Sequence, residues 1–406
     1  MFSLFPCAYT FSVTDADVLL CLEKNGDCAL RVAREGGAVT VRLYYDVQDA
    51  PLVLTAAAEI GDAVTLALYP YRAELYCGGV LCDEEWPYGT PCFRDAVITV
   101  CNVDIRACEM PIPPVSEGSF THAEGWRPGG GVFVGDCMPY VHGDRYHVLY
   151  LKDRHHHRSK WGRGAHQWEH ISTTDLVHWD IHPSAVAIDD PTEGSICTGS
   201  HICDHGRHYL YYTVRKSDMS PATIERSVSD DGIHFEKDRS FRFTLSDAYD
   251  KASARDPKVI RGADGMCHMF VTTSETASGN GALAHLVSGD GDDWREIGSI
   301  YAAPDRDQPE CPDYFAYRGR YYLIFSHHGR AQYRYSDRPF DGWIIPDDPS
   351  IPCSTVPKAG IFGDRIIFAG FKGIDGYAGT MTFTEADTDA DGVMRFFPVA
   401  EMTEKQ

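Results

Sequence analysis

Three carboxylic acids, Asp136, Asp256 and Glu310, each lie about ten residues before a short aromatic-rich segment of the chain. Acids that recur at one position of a repeated unit meet where the units converge, so we expect their side chains to share one site. Glycoside hydrolysis requires an ionised carboxylate and a carboxylic acid that donates a proton. The spacing therefore predicts a candidate site for glycosidic bond cleavage.

Mutual repulsion would set the protonation states of these acids. Three negative charges in one funnel raise the pKa of at least one carboxyl group and keep it protonated near neutral pH. Each acid taken alone fits equally well with a turn cap or a local salt bridge. Their common place in a repeat is what favours the catalytic interpretation.

The repeat itself is a turn followed by an aromatic-rich strand, which recurs five times at intervals of about 44 to 62 residues. That interval suits a four-stranded blade. We predict an all-β fold in which residues 116–406 form a five-bladed β-propeller, with the strand before each repeat lining a central channel. The repeated segments are Asp144–Tyr150, Gly206–Tyr212, Gly265–Val271, Gly319–Phe325 and Gly363–Ala369.

Two of the five units carry no acid at the corresponding point. They have Ser200 and Lys358 at similar offsets. We expect these side chains to touch substrate hydroxyl groups, although an ordinary role at a strand end fits them as well.

Residues 1–115 have a different pattern, with short alternating runs separated by turn residues every 8 to 12 residues or so. Runs such as Ala38–Leu43 and Val64–Tyr69 predict a β-sandwich. The proline cluster Met110–Pro114 breaks the alternation and marks the predicted domain boundary. This accessory domain would cover the propeller, shape its pocket, or bind sugar or a second subunit, which leaves a homo-oligomer open.

Composition excludes several classes of partner. The 59 acidic and 37 basic side chains give a formal net charge of −22, which argues against nucleic acid. No apolar run approaches the roughly 20 residues of a membrane span. The 14 cysteines are scattered without scaffold spacing, and the first residues do not resemble a signal peptide, so we expect a cytoplasmic enzyme with a small oligosaccharide substrate.

No segment has convincing metal-ligand spacing, and no metal or organic cofactor is predicted. The run His155–His157 places consecutive side chains in alternating directions, so one ion cannot easily take all three. The segment Asp387–Gly392 imitates a calcium loop but has Pro398 at the twelfth position.

Several motifs carry a resemblance to a known family. The segments Ala254–Val259 (ARDPKV) and Glu310–Phe315 (ECPDYF) resemble the RDP and EC motifs of glycoside hydrolase family 32, the invertases, levanases and inulinases. The run from Trp161 to Trp179 is similar to the family's WG…HW…DLVHW segment. The resemblance extends from about Val134 to Pro398.

The resemblance implies a role for each matching residue. Asp136 would attack the anomeric carbon, Glu310 would act as acid and then base, and Asp256 would hold ring hydroxyls. Arg255 would orient the carboxylates, and Cys311 would provide a weakly polar environment for the acid. The matching positions expected to contact substrate in the second motif are Trp161, Gln167 and Trp168.

The sequence also departs from the family pattern. Gly135 stands where the family has an Asn before the nucleophile, and Leu151 stands where it usually has a Gln. Family members generally carry the sandwich after the propeller, whereas this chain has it first. The altered residues around Asp136 keep one alternative open, a retaining hydrolase or transferase for another furanoside, such as an arabinofuranoside, or for a fructose anhydride. A non-catalytic sugar-binding propeller is a further alternative, but it would be expected to have lost Asp136 or Glu310, and both are present.

Overall fold

A computed structural model of the chain describes residues 5–87, 89–111, 118–129, 132–154, 165–218 and 220–403. The chain divides into two compact units. The first comprises Met1–Val115, His157–Ala165 and Ile188–Gly194, and the second comprises the other residues. The fold is all-β, as predicted. Among the described residues no helix is long and apolar enough to cross a membrane.

The first unit contains two five-stranded antiparallel sheets, in the orders β10-β1-β6-β7-β8 and β5-β4-β3-β2-β9. Alternation along the strands gives each sheet one apolar face, and side chains of both sheets form a single core around Val32, Val41 and Leu66. The strands are β1 (Cys7–Ser12), β2 (Val18–Lys24), β3 (Asp27–Glu35), β4 (Ala38–Leu43), β5 (Leu52–Ala57), β6 (Ala63–Leu68), β7 (Ala73–Cys77), β8 (Val80–Glu85), β9 (Val97–Cys101) and β10 (Arg106–Cys108).

The second unit begins with β11 and continues as five consecutive antiparallel meanders. The first two meanders, together with β11, account for most of the second unit before residue 244. Their strands are β11 (Gly118–Thr121), β12 (Phe133–His142), β13 (Arg145–Asp153), β14 (Gln167–Thr173), β15 (His178–Val186), β16 (Glu193–Asp204), β17 (Arg207–Lys216), β18 (Thr223–Ser229) and β19 (Glu236–Phe243).

The remaining three meanders end in one short helix. Their elements are β20 (Arg255–Arg261), β21 (Cys267–Ser274), β22 (Gly281–Ser288), β23 (Arg295–Ala302), β24 (Glu310–Tyr317), β25 (Arg320–His327), β26 (Arg330–Ser336), β27 (Lys358–Phe362), β28 (Arg365–Gly373), β29 (Gly379–Thr388), β30 (Met394–Phe397) and α1 (Ala400–Thr403).

The five aromatic repeats form the second strands of the meanders, β13, β17, β21, β25 and β28. Their large side chains are buried because they pack between neighbouring meanders. Apolar clusters join the second meander to the third, the third to the fourth, the fourth to the fifth, and the fifth to the first. Between the first and second, the Tyr140 ring stacks on His147 and His201.

The turn between the third and fourth strands is built alike in three meanders, and it explains the recurring Ser and Asp. In the first, Asp175 Oδ1 accepts the backbone N–H groups of Val177 and His178. Asp231 and Asp290 do the same in the second and third. The carboxylate satisfies amide donors that the turn would otherwise leave without partners.

The first and fifth meanders are also joined by backbone pairing. Val134 on β12 pairs with Gly379 on β29, so these strands belong to one sheet. This pairing brings the connection between β28 and β29 beside the segment that carries Asp136.

Close backbone packing makes one glycine of β16 irreplaceable. A Cβ atom at Gly199 would lie 1.8 Å from the carbonyl oxygen of Tyr211. We expect Gly199→Ala to destabilise the protein by about 1–3 kcal/mol, because backbone atoms must move to admit the methyl group. Urea unfolding measures this change. Gly129→Ala is the control, since nothing lies within 4 Å of its added Cβ, and equal midpoints for the two variants would contradict the prediction.

Candidate active site

The Asp136 carboxylate is held on both oxygens. It is 9% exposed, and Thr198 Oγ1 donates to Oδ2 at 2.5 Å. The Tyr377 hydroxyl donates to Oδ1 at 3.1 Å and accepts the Asp136 N–H at 3.3 Å. The donors come from the second and fifth meanders, so two parts of the chain that are distant in sequence fix this side chain.

The three acids all lie at β-bulges in the first strands of their meanders. Two residues of the first strand face one residue of the second, which re-aims the side chains locally. Glu310 is the last paired residue before its bulge, Asp256 is the first bulged residue of β20, and Asp136 is the second bulged residue of β12. The register shifts lie between Val134 and Cys137, Arg255 and Lys258, and Glu310 and Asp313.

The acids were expected at equivalent positions of their strands, and this register shows that they differ by one residue each. Each strand has an equivalent bulge, and the three acids occupy three successive positions of that bulge, one in each strand. Their carboxyl groups therefore leave the backbone at different places. The structural counterpart of Asp256 in β24 is Cys311, and both have left-handed backbones, with φ of 57° and 52°. Such φ values cost energy in residues other than Gly and persist where the surroundings enforce them.

Cys311 lies between two of the carboxylates. Its Sγ is 3.5 Å from Asp136 Oδ2 and 3.5 Å from Asp256 Oδ2, and its backbone N–H donates to Asp256 Oδ2 at 3.2 Å. Burial raises the pKa of the Cys311 thiol well above its usual value, and Asp256 and Asp136 add to the shift. The thiol therefore stays protonated and can donate weakly to either carboxylate.

Arg255 connects the other pair of acids. Its Nη2 donates to Glu310 Oε1 at 2.6 Å, and its Nε lies 3.5 Å from Asp256 Oδ2. Its Nη1 also donates to Gln308 Oε1 at 2.5 Å, which fixes the guanidinium plane. The Glu310 side chain is 49% exposed, in contrast to the buried Asp136 and Asp256.

The electrostatics of Asp136 follow from its burial. Burial raises the pKa of this carboxyl group, and the nearby Asp256 raises it further, whereas hydrogen bonds from Thr198 and Tyr377 lower it. Repulsion between acids was expected to be the main cause of a raised pKa. The larger cause is loss of hydration, because carboxylates need water or donors to stay ionised.

Ser200 and Lys358 lie behind the acids and bond to backbone groups. Ser200 Oγ donates to the Pro257 carbonyl at 2.9 Å, and Lys358 Nζ donates to the Pro312 carbonyl at 2.8 Å. Both side chains are buried, and burial lowers the pKa of Lys358. Each side chain binds the carbonyl group of a proline in a bulge. Their polar atoms therefore contact the backbone, whereas contact with substrate hydroxyls had been expected.

The other predicted substrate contacts bond to protein groups or lie outside the described residues. Trp168 is fully buried, donates its indole N–H to the Cys197 carbonyl at 3.0 Å and packs on Tyr212. Gln167 is also buried and donates to Glu169 at 3.0 Å. Trp161 and the histidine run at 155–157 lie outside the described residues.

No motif or spacing in the sequence points directly to Tyr377 or Thr198. Tyr377 is separated from Asp136 by 241 positions and comes from a turn. The indirect sign was Gly135, because a Cβ at this position would lie 2.5 Å from the Tyr377 hydroxyl and 3.1 Å from Leu151 Cβ. The Tyr377 hydroxyl thus occupies the space that a side chain at residue 135 would need.

Three groups of His, Cys and Asp side chains in the described part of the chain have candidate metal-ligand atoms within 4.8 Å of one another. They come from separate strands and turns, which sequence spacing does not reveal. None of the three groups includes Asp136, Asp256 or Glu310. The groups are His142 with Cys203 and His208, His147 with His170 and His182, and Asp305 with His327 and His328.

A sequence profile described as the glycosyl hydrolases family 32 N-terminal domain matches residues 137–346. Asp256 and Glu310 lie within the match, and Asp136 immediately precedes it. Sucrose-6-phosphate hydrolase from Bacillus subtilis (strain 168) is 32% identical over 215 residues, which cover 49% of this chain and 44% of that protein. The chain thus spans less than half the length of this relative.

Two solved structures share the fold at low sequence identity. Fructan 1-exohydrolase IIa from Cichorium intybus superposes with a TM-score of 0.58 at 17% identity, covering 69% of this chain and 61% of that one. Sucrose-6-phosphate hydrolase from Lactobacillus gasseri also gives a TM-score of 0.58 at 17% identity, with coverages of 69% and 63%.

A buried ion pair behind the acids offers a test of how the site is supported. Asp313 is 1% exposed, its Oδ1 lies 2.5 Å from Lys258 Nζ, and its Oδ2 accepts the Ala359 N–H at 2.7 Å. We expect Asp313→Asn to lower the free energy of unfolding by about 3 kcal/mol, because it leaves the Lys258 ammonium group, whose side chain is only 14% exposed, without its counter-charge.

Urea unfolding of Asp313→Asn beside Asp341→Asn measures this cost. Asp341 pairs with Arg338 on the surface, where both side chains are about two-thirds exposed, and its loss should cost less than about 1 kcal/mol. Similar costs for the two variants would show that the buried pair does not support the fold.

Proposed function

This chain belongs to glycosyl hydrolase family 32, and we propose that it hydrolyses the terminal β-fructofuranosyl bond of a small saccharide with retention of configuration. The observation that supports the proposal is the convergence of Asp136, Asp256 and Glu310 from three bulged strands. Cys311 and Arg255 link the three carboxyl groups into one cluster.

In the first step of the proposed reaction, Asp136 attacks the anomeric carbon. The bond from that carbon to the leaving oxygen breaks, and Glu310 gives its proton to the leaving oxygen. The half-exposed Glu310 is suited to exchanging protons with solvent and leaving group, while the buried Asp136 faces the sugar as a carboxylate fixed by two hydroxyl donors.

In the second step, water attacks the anomeric carbon of the covalent intermediate. Glu310, now ionised, takes a proton from that water, and the bond to Asp136 breaks with its electrons returning to the carboxylate. Asp256, beside Arg255, bonds ring hydroxyls as positive charge develops on the sugar.

We also propose the architecture that the sequence predicted, with the five meanders as the blades of a β-propeller and residues 1–115 as a β-sandwich accessory domain. The apolar clusters that join successive meanders and the Val134–Gly379 pairing support closure of the ring. The 14 free cysteines support residence in a reducing compartment such as the cytoplasm.

The substrate class follows from the relatives and from the altered side chains. A relative named sucrose-6-phosphate hydrolase suggests a fructosyl glucoside or its phosphate as the substrate. Gly135 and Leu151 offer no amide to the sugar, so the fructosyl ring would depend more on Asp256 and Arg255 for its orientation.

The proposal predicts fructose release from at least one of sucrose, sucrose 6-phosphate and 1-kestose, measured by chromatography with purified protein. In aqueous methanol, the methyl fructoside formed should have the β configuration, as NMR can establish, because two displacements restore the original stereochemistry. If the protein cleaved an aryl arabinofuranoside and none of these fructosides, its glycone would be arabinofuranose and the proposed fructosyl specificity would be wrong. An α product would overturn the retaining mechanism.

The two steps also predict different behaviour for two isosteric variants. Asp136→Asn should abolish turnover of every substrate, because no covalent intermediate can form. Glu310→Gln should lose activity on sucrose but still release phenol in a burst from an aryl fructoside, whose departure needs little protonation, and then stall without a base.

Stopped-flow absorbance of the released phenol distinguishes these outcomes. Glu236→Gln, an exposed change on β19, serves as the control and should keep wild-type turnover. If Glu310→Gln retained full activity on sucrose, Glu310 would not be the acid.

A further inference from the structure

Tyr377 lies in the short connection between β28 and β29, at a point fixed by backbone bonds. The Ile374 N–H donates to the Ala378 carbonyl at 3.0 Å, and Gly379 pairs with Val134 two residues before Asp136. The tyrosine ring packs against Phe371 and His166, with ring centroids 5.2 Å and 5.3 Å away. Its hydroxyl is therefore held at a defined place over β12.

That hydroxyl contacts the backbone and the side chain of the same residue. It accepts the Asp136 N–H at 3.3 Å and donates to Asp136 Oδ1 at 3.1 Å, while Thr198 donates to Oδ2. With one donor on each oxygen, rotation of the carboxylate would break a hydrogen bond. Burial and the Asp136 charge raise the pKa of Tyr377 well above its usual value, so its proton stays on the hydroxyl.

The space for this arrangement depends on Gly135. A methyl group at residue 135 would meet the Tyr377 hydroxyl at 2.5 Å, and the backbone φ of Gly135 is not in the left-handed region. The tyrosine is thus the nearest obstacle to alanine, followed by Leu151 Cβ at 3.1 Å, and the chain conformation is not the cause. Gly135 and Tyr377 form a matched pair across the joint between the first and fifth meanders.

We propose that the Tyr377 hydroxyl orients the Asp136 carboxylate for attack and stabilises it as a leaving group, and that Gly135 is glycine to make room for this hydroxyl. The inference rests on the proposed role of Asp136 as nucleophile. In the second step the bond between the anomeric carbon and the Asp136 oxygen breaks, and its electron pair returns to the carboxylate. A hydroxyl donor at Oδ1 stabilises that charge without transferring its proton.

Other groups that face Asp136 also affect its pKa. Asp256 raises the pKa of Asp136, His166 lowers it, and Cys311 contributes a neutral thiol 3.5 Å from Oδ2. Loss of the Tyr377 donor removes a contact that favours the ionised carboxylate. The pKa of Asp136 should then rise, and the acidic limb of kcat/KM, where the nucleophile must be ionised, should move to higher pH.

The test compares Tyr377→Phe, Gly135→Ala and the double variant on the best substrate found for the wild-type enzyme. We expect each single variant to lose about tenfold to a hundredfold in kcat/KM, the effect of a hydrogen bond to a charged group. The acidic limb should shift upward by about one pH unit in each. The double variant should lose no more than either single variant, because both changes remove the same contact.

Tyr249→Phe is the matched control, since its hydroxyl donates to the Gly298 carbonyl and touches no carboxylate. It should retain the wild-type pH profile, and thermal melting of all variants separates misfolding from loss of the contact. An unchanged acidic limb in a folded Tyr377→Phe, or additive losses in the double variant, would overturn the inference. Failure of the proposed function is distinguishable, because the wild-type enzyme would then cleave no fructoside.

Discussion

Burying Asp136 and Asp256 without leaving their oxygens short of hydrogen-bond partners is the constraint on which the site depends. Both are less than 10% exposed, and burial of a carboxylate raises its pKa unless donors or positive charges replace the lost water. The protein supplies Thr198 and Tyr377 to one acid, and Arg255 with the Cys311 N–H to the other. Each donor comes from a different strand or connection, so the site forms only when the meanders are assembled.

The β-bulges are the backbone feature that brings the acids together. A regular strand would alternate side chains between two faces, and three regular strands could present only one residue each at a given level. Bulges in β12, β20 and β24 instead bring three successive backbone positions to one place. Ser200 and Lys358, bonded to the proline carbonyls, hold two of these irregular segments in shape.

The five repeats and the three acids that precede three of them were predictable because they recur at regular intervals in the sequence. The aromatic strands recur with their turns, and Asp256 and Glu310 lie in recognisable local motifs. The contacts of Ser200, Lys358 and Trp168 were not predictable, since polarity or aromaticity at one position does not tell whether the partner is a sugar or a backbone carbonyl. Tyr377 was hidden for a similar reason: it lies in a turn, 241 positions from its partner, without any periodicity.

The pairing of Val134 with Gly379 has a consequence for the synthesis of the chain. The candidate nucleophile is made first, and the tyrosine that completes its surroundings is made 241 residues later, followed by the paired strand β29. Contacts between such distant segments form late, because a long loop must close before they contribute stability. A ribosome-bound chain that has not yet reached β29 lacks the donor to Oδ1 and the strand edge beside Asp136. Hydrolytic competence would then not precede the synthesis of β29, so that shorter nascent chains do not act on sugar.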